Sequence, residues 1–329
     1  MTGLAEIQPA EWDELLAGLG CADAYFLREY VESGRVLEGG EPAFLHLADA
    51  GGDVVFTGLV RDGRDLITPY GYGGPLATGD APPIERFYEL YDRWCSDRGI
   101  VTSFVRFHPL LGNHRQAPDG PNVRVEVLGT TIGWRLDLHD DLMEGLHPKH
   151  RNKVRKARKA GVEVTAHPAP ADLDDFIALH EETMRRQQAS DFYFFSGEYW
   201  RSLQGLGEHL VRFDGTLDGE LVASALCLAT APWLHYHLSA TDDRARETAA
   251  ANLVVFEAGE WAKQRGYTRF HLGAGVGWSH GSLYEFKQRF DPGGDVEGAI
   301  GKFVHDPARY AEVGGNPDDL SGFFPAYRG

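Results

Sequence analysis

Two kinds of apolar spacing follow each other along the chain, and together they predict helices and strands in a recurring order. Apolar side chains recur every three or four residues from Phe87 to Trp94, which is typical of an amphipathic helix over residues 83–98. Apolar runs broken by Gly-Gly and Asp-Gly occupy residues 41–76 and indicate antiparallel strands joined by turns. A further strand is predicted after the helix, in GIVTSFVRFHPL (residues 99–110).

The second half of the chain repeats this order. Its predicted strand, helix, three strands, long helix, strand and short helix lie at residues 161–168, 170–188, 209–241, 244–265, 267–275 and 281–290. Each half therefore runs helix, antiparallel strands, helix, strand, an α+β pattern with helices flanking a mixed, mostly antiparallel sheet. This order resembles the GNAT acyltransferase fold, present here as two tandem GNAT-like domains.

The length of 329 residues also favours two domains over one. We place them at residues 1–146 and 147–329, with a basic linker helix over residues 147–160 at the start of the second domain. Whether the tail, residues 304–329, packs back on the first domain stays open at this point.

Composition narrows the class of protein. A hydrophobic content of 43% and an aromatic content of 12% are ample for packed cores. No apolar stretch approaches the ~20 residues that span a bilayer, so no membrane span is predicted. The three cysteines, Cys21, Cys95 and Cys227, lie far apart without CxxC spacing, which indicates reduced thiols in a cytoplasmic protein. The histidines show no HExxH spacing, and no metal site is predicted.

Charge is distributed unevenly along the chain. The formal net charge is -17, yet the segment HPKHRNKVRKARKAGVEV (residues 147–164) carries seven cations between Lys149 and Lys159 and no acid among them. Lysine, arginine and alanine favour a helix here, and Gly161 is a natural stop. On that helix the lysines share one face and the arginines the other: Lys149, Lys153, Lys156 and Lys159 against Arg151, Arg155 and Arg158. The segment is either a solvated linker helix or a local binding surface for phosphate groups, since the acidic remainder would repel a polyanion.

Three segments in this order and spacing resemble the Fem peptidyl transferases. They are the basic segment just quoted, ALHEETMRRQQASDFYFFSGEYWRSL (residues 178–203) and RFHLGAGVGWSHGSLYEFKQRFDPGG (residues 269–294), and the resemblance covers roughly residues 100–300. Members of that family use aminoacyl-tRNA to add amino acids to peptidoglycan precursors, and relatives modify small-molecule antibiotics. The family has two GNAT-like domains and binds no acetyl-CoA, so the resemblance implies no cofactor. In agreement, ATDDRARETAAAN (residues 240–252) lacks the glycines of a CoA pyrophosphate turn.

The resemblance also implies roles for individual residues. Lys287 corresponds to the family's catalytic lysine, which would stabilise an oxyanion, and Phe286 would shape the pocket beside it. Arg186, with Arg185 as its rival, and Tyr193 match positions that hold acceptor phosphates or carboxylates. Tyr236 either lines the acceptor cleft or belongs to the core, and Lys287 is otherwise a surface lysine. The cations expected to contact tRNA acceptor-stem phosphates are Lys149, Arg151, Lys153, Arg155 and Arg158.

Two departures from the family pattern bear on the acceptor. His108-Pro109 replaces the usual Asp-Pro, and TPYGYGGPL (residues 68–76) replaces an Arg-Gly-Pro turn. The predicted reaction is amide formation between a tRNA-borne amino acid and the amine of a small-molecule or peptide acceptor, in antibiotic biosynthesis or on a peptidoglycan precursor. Two alternatives stay open: an acyl-CoA-dependent GNAT N-acyltransferase, and a non-catalytic binding module with degenerate GNAT domains.

Overall fold

The computed structural model describes residues 3–20 and 23–329. Cys95 and Cys227 are buried free thiols, and Cys21 lies outside the described residues. Contacts divide the chain into two compact units, residues 1–129 with 297–329, and residues 130–296. Within the described part of the chain, no helix is long and apolar enough to cross a membrane.

These bounds differ from the predicted division at residues 146 and 147. The segment before the basic helix packs into the second unit, where Trp134, Leu142 and Leu146 belong to the same buried core as Phe270. Both boundaries lie inside strands rather than in a polar linker, so composition does not mark them.

The strands and helices have the following bounds. The strands are β1 Ala5–Glu6, β2 Glu41–Asp49, β3 Gly52–Arg61, β4 Asp65–Ile67, β5 Leu76–Thr78, β6 Thr102–Arg106, β7 Val123–Arg135, β8 Glu163–Pro168, β9 Leu210–Leu217, β10 Glu220–Thr230, β11 Trp233–Thr241, β12 Arg269–Gly273 and β13 Asp295–Val304. The helices are α1 Pro9–Gly18, α2 Arg28–Glu38, α3 Ile84–Asp97, α4 Leu142–Gly145, α5 Pro148–Lys159, α6 Asp174–Arg186, α7 Gly197–Gln204, α8 Asp243–Thr248, α9 Ala250–Gln264, α10 Ser282–Gln288 and α11 Pro307–Glu312.

The first unit is built on the strand order β1-β2-β3-β4-β6-β13, with β5 beside β3. Its pairs are antiparallel except β4 with β6. The amphipathic face of α3 places Phe87 and Tyr91 against Phe56 of β3, as the apolar spacing predicts. The tail belongs to this unit: Tyr310 and Phe324 share a buried cluster with Val101.

The second unit repeats the plan in the order β7-β12-β11-β10-β9-β8. Here too a single described pair, β11 with β12, is parallel, and the others are antiparallel. Residues Trp233 to His235 of β11 pair with β12, and β11 then runs on to Thr241. The predicted mixed sheet with flanking helices is confirmed in both units.

One predicted element is wrong in detail. The single long helix expected over residues 244–265 is two helices, α8 and α9, separated by Ala249 in a left-handed conformation (φ 65°). Alanine favours helix and avoids positive φ, so the break is imposed by packing rather than by local preference. Ala249 and Ala250 are both buried in the core of this unit.

Candidate functional site

The second unit contains a cleft of about 850 Å³. It is formed by α5, the end of α6, the end of β11, the start of α8 and α9, and α10. The lining residues are Lys149, His150, Asn152, Lys153, Lys156, Arg186, Gln187, Thr241, Asp242, Asp243, Ala245, Arg246, Ala249, Ala251, Asn252, Phe286 and Arg289. This lining includes six cationic side chains and two carboxylates, an excess of positive charge that suits an anionic ligand.

The basic helix forms one wall of the cleft. α5 begins with Pro148, and the ring of His147 accepts a hydrogen bond from the amide of Lys149 (3.2 Å). A narrow seam of His150, Val154 and Ala157 is buried. This seam orients the helix, so that lysines on its flank line the cleft.

The structure separates the seven cations of α5. Lys149, Lys153 and Lys156 line the cleft. Arg151 donates instead to the carbonyl of Glu144 (3.2 Å), and Arg158 pairs with Glu257 (2.8 Å) on α9. Two of the five cations expected to contact RNA, Lys149 and Lys153, are thus part of the described cleft lining. It adds Lys156, which shares the predicted lysine face with them and was left out of the expected set.

Lys287 is the buried cation of the unit's α10. Its side chain is 8% exposed, and Nζ donates to the carbonyl of Ala274 (2.7 Å). Nζ also lies 5.9 Å from the centroid of the Tyr236 ring. Burial lowers the pKa of the Lys287 ammonium to about 8. The alternative of an ordinary surface lysine is therefore wrong for this position.

Neighbours of Lys287 in the sequence relate it to the cleft. Phe286, directly before Lys287 on α10, and Arg289, directly after the end of α10, line the cleft, whereas the described lining does not include Lys287 itself. Tyr236, expected either in the cleft or in the core, is half-buried, and burial raises the pKa of its hydroxyl. Its ring packs edge-on against Phe270 (6.3 Å between centroids), so it contacts both the core and Lys287.

The end of α6 contributes Arg186 to the cleft lining. Its Nη2 donates to the carbonyl oxygen and, at 3.2 Å, to the hydroxyl of Thr241, and its Nε lies 3.6 Å from Asp243. Its rival Arg185 is 63% exposed and pairs with Glu181 (2.5 Å), away from the described lining. Tyr193 is 38% exposed in the turn after α6 and is likewise outside that lining.

Two polar residues of the cleft were not singled out as site residues from the sequence. His150 is 3% exposed, and its Nε2 lies 2.8 Å from the carbonyl oxygen of Phe286. The side-chain amide of Asn252, on α9, lies 3.1 Å from the same nitrogen. Burial lowers the pKa of His150 to about 4. The signal in the sequence is weak: His150 only extends the apolar seam of a charged helix.

Comparison with known proteins identifies the architecture. Residues 147–288 match the family model described as "Acetyltransferase (GNAT) domain". No curated protein sequence matches the chain significantly. Among solved structures, FemX is similar over 95% of this chain and 100% of its own, with a TM-score of 0.67 and 14% identity.

Two further structures are similar over most of their length. L-PGS from Bacillus licheniformis has a TM-score of 0.57 at 15% identity, covering 86% of this chain and 94% of its own. A tandem GNAT protein from the clavulanic acid biosynthesis pathway has a TM-score of 0.53 at 12% identity, covering 93% and 99%. At these identities the likeness establishes the fold. The chain therefore has the Fem-like twin GNAT fold, with a GNAT acyltransferase-type domain over residues 147–288.

Proposed function

We propose that the chain is an aminoacyltransferase that joins a tRNA-borne amino acid to the amine of a small-molecule or peptide acceptor. One observation carries the proposal: a lysine ammonium, Lys287, is buried on α10 directly after a residue that lines a cleft with three lysines on one wall. Burying a cation is costly, and a buried cation with a strongly perturbed pKa next to a cleft is a candidate for a functional role.

The chemistry requires little of the protein beyond alignment and positive charge. The acceptor amine attacks the ester carbonyl of the aminoacyl group, a C–N bond forms, and negative charge develops on the carbonyl oxygen. When this intermediate collapses, the bond to the ribose oxygen breaks and that oxygen takes up the proton lost by the amine. An ammonium has three donors, and one is used by the carbonyl of Ala274, so Lys287 retains two for the oxyanion.

The lysine wall suits the phosphates at the 3′ end of a tRNA. Lys149, Lys153 and Lys156 would contact the nearest phosphates from inside the cleft. Arg151, Arg155 and Arg158 would extend this surface along the acceptor stem. Arg155, which is exposed, is the best placed of the three, because the other two already have protein partners.

For the acceptor we propose Arg186, which lines the same cleft as the lysines but comes from α6. Arg185 and Tyr193 would contribute only from outside the described lining, and Tyr236 would act through Lys287. We place the reaction in the cytoplasm, in antibiotic biosynthesis or on a peptidoglycan precursor, because the resemblance to Fem enzymes points there.

The start of α8 argues against an acyl-CoA donor. In GNAT enzymes the pyrophosphate of CoA is held by free backbone amides at a helix start after the parallel strand. Here Asp242 follows β11, and its carboxylate already accepts from the amide of Ala245 (3.0 Å). One of the amides that could hold a pyrophosphate at this helix start is therefore already occupied.

The description of the matching family model favours a second candidate, acyl-CoA-dependent N-acylation. The decisive experiment incubates the purified full chain with individual charged tRNAs and a panel of amines, and detects amide products by mass spectrometry. Acetyl-CoA is tested in parallel for product formation and for thermal stabilisation. Product from acetyl-CoA with none from any charged tRNA would replace the proposal with this candidate; no product from either would favour a non-catalytic module.

The RNA surface has a separate test. Single variants Lys153→Ala and Lys156→Ala are compared in the salt dependence of tRNA binding, each being expected to lower the slope by about 0.7–1. Arg93→Ala, which removes an exposed cation from α3 in the first unit, is the matched control and should leave the slope unchanged. Equal slopes in all four proteins would reject the lysine wall as the RNA contact.

A further inference from the structure

The basic helix and the helix that carries Lys287 are joined by two hydrogen bonds. At the start of α5 the amide of His147 donates to the carbonyl of Arg289 (2.9 Å). One turn later the imidazole of His150 lies 2.8 Å from the carbonyl of Phe286. The last carbonyls of a helix lack intrahelical partners. The amide of Phe290 donates to the backbone carbonyl of Lys287 (3.1 Å) and not to the carbonyl of Phe286. His150 thus satisfies a carbonyl at the end of α10.

The protonation of His150 follows from these contacts. Burial, together with the neighbouring charges of Arg289, His147 and Lys153, lowers the pKa of His150 to about 4, although the hydrogen bond to the Phe286 carbonyl acts in the opposite direction. The ring is therefore neutral above about pH 5 and carries one proton. That proton lies on Nε2, because the Phe286 carbonyl can only accept. The structure places Nδ2 of Asn252 3.1 Å from this nitrogen. Two N–H groups cannot bond to each other, so a proton on Nε2 requires the Asn252 amide to be turned over, with its oxygen accepting.

The Phe286 carbonyl that accepts from His150 belongs to the rigid peptide group between Phe286 and Lys287. The peptide bond that contains the oxygen of Phe286 also contains the backbone nitrogen of Lys287, and a peptide is planar. Fixing this plane fixes the N–Cα bond of Lys287, and the helical backbone of α10 at Lys287 then sets the direction in which its side chain leaves the helix. The ammonium then reaches its buried place, 2.7 Å from the carbonyl of Ala274.

We propose that His150 is a positioning residue for Lys287. It ties the peptide before the lysine to the helix whose Lys149 and Lys153 line the cleft, and so sets the lysine's place relative to the bound anion. The inference rests on the proposed function for its catalytic meaning, and on geometry alone for the placement of the ammonium. Asn252 supports the imidazole from α9.

A plain packing role is the alternative. The ring of His150 contacts the rings of Phe286 (5.4 Å between centroids) and Phe290 (4.6 Å). Two substitutions separate packing from hydrogen bonding. His150→Phe keeps an aromatic ring and removes the donor, whereas His150→Gln removes the ring and keeps an N–H donor at the position of Nε2. His150→Asn is too short to reach the carbonyl and serves as a second donor-free variant.

The first readout does not depend on catalysis. The protein is labelled with 13C at the lysine Cε, the Lys287 resonance is assigned with Lys287→Arg, and its pKa is measured by NMR titration. In His150→Gln we expect the lysine to titrate as in the native protein, near pH 8. In His150→Phe and His150→Asn we expect a rise towards 10.5, because the released ammonium gains water. An unchanged titration in both donor-free variants would overturn the proposal.

The second readout is the kinetics of amide formation. His150→Phe should lower kcat at least tenfold and leave KM for aminoacyl-tRNA within twofold, because the lysine wall is untouched. His150→Gln should restore kcat to within about threefold. Equal loss in the Gln and Phe variants would mean packing and would reject the donor role. Absence of product in the native protein would reject the proposed function and leave the NMR result to decide the placement of Lys287.

Discussion

Replacing Lys287 by methionine separates a catalytic lysine from a structural one. The substitution keeps the length of the side chain and removes only the charge. If Lys287 stabilises the oxyanion, Lys287→Met should lower kcat by about 10²–10³, which corresponds to about 2.7–4 kcal/mol in the barrier. A non-catalytic module predicts no effect on product formation, because there is none.

Lys287→Met is expected to lower kcat but not to lower the stability of the fold. Lowering a lysine pKa from 10.5 to about 8 means that burying the charge costs about 3 kcal/mol at pH 7. Methionine removes that cost and leaves the carbonyl of Ala274 without this donor, a loss of about 1–3 kcal/mol. The free energy of unfolding should therefore stay near the native value or rise by up to about 2 kcal/mol.

The chain offers a matched control in Lys263. Its Nζ also donates to a backbone carbonyl, that of Leu136, at 2.9 Å, but it lies outside the described cleft lining. Lys263→Met should lower the free energy of unfolding by about 1 kcal/mol and leave kcat unchanged. Urea unfolding at pH 7 and single-turnover amide formation measure both quantities. If Lys287→Met behaves like Lys263→Met in both, the catalytic argument is refuted.

Three further outcomes are expected. The rate of amide formation should fall as pH rises through about 8, where Lys287 loses its proton, and Lys287→Arg should abolish that fall. Ser103→Ala should lower the free energy of unfolding by about 1–3 kcal/mol in urea, because the buried Ser103 hydroxyl contacts Nε2 of His305 at 2.7 Å. Stability should fall as pH drops from about 6.5 towards 4, since His150 and His180 have folded-state pKa values near 4 and the unfolded chain takes up protons first.

For each of these three predictions, one experimental result would contradict it. A rate that keeps rising to pH 9.5 would mean that the charge of Lys287 is not needed. If Ser103→Ala leaves the urea midpoint unchanged, the hydrogen bonds of the Ser103 hydroxyl with His305 and with the Tyr91 hydroxyl (2.8 Å) do not contribute to stability. A free energy of unfolding that is flat between pH 6.5 and 4, measured in urea at each pH, would show that the two histidines are hydrated in the folded state.

Local signals in the sequence predicted α5 well. The predicted basic helix, residues 147–160, coincides with α5, and its thin seam of Val154 and Ala157 is buried. Both signals depend only on neighbours along the chain, namely helix propensity and the spacing of apolar side chains. The same reasoning could not rank the cations, because Arg158 is drawn away by Glu257, a residue 99 positions later.

Long-range contacts explain the other differences between the elements predicted from the sequence and the observed structure. The break at Ala249 opposes the helix preference of an alanine-rich segment, so it comes from packing. The donor from His150 to Phe286 joins residues 136 positions apart, and no period in the sequence reports it. The unit boundaries lie within strands, where composition is continuous.

The sequence by itself determined the order of helices and strands, the duplicated GNAT-like plan, and the presence of a cationic helix in an acidic chain. These follow from spacing, propensity and charge, which are properties of short segments. Only the tertiary structure decided that Lys287 is buried, that three lysines of α5 and none of its arginines line the described cleft, and that His150 connects α5 to the helix of Lys287. Burial and hydrogen bonding depend on which distant segments the sheet register brings together, and desolvation changes the behaviour of a charge only after that register has formed.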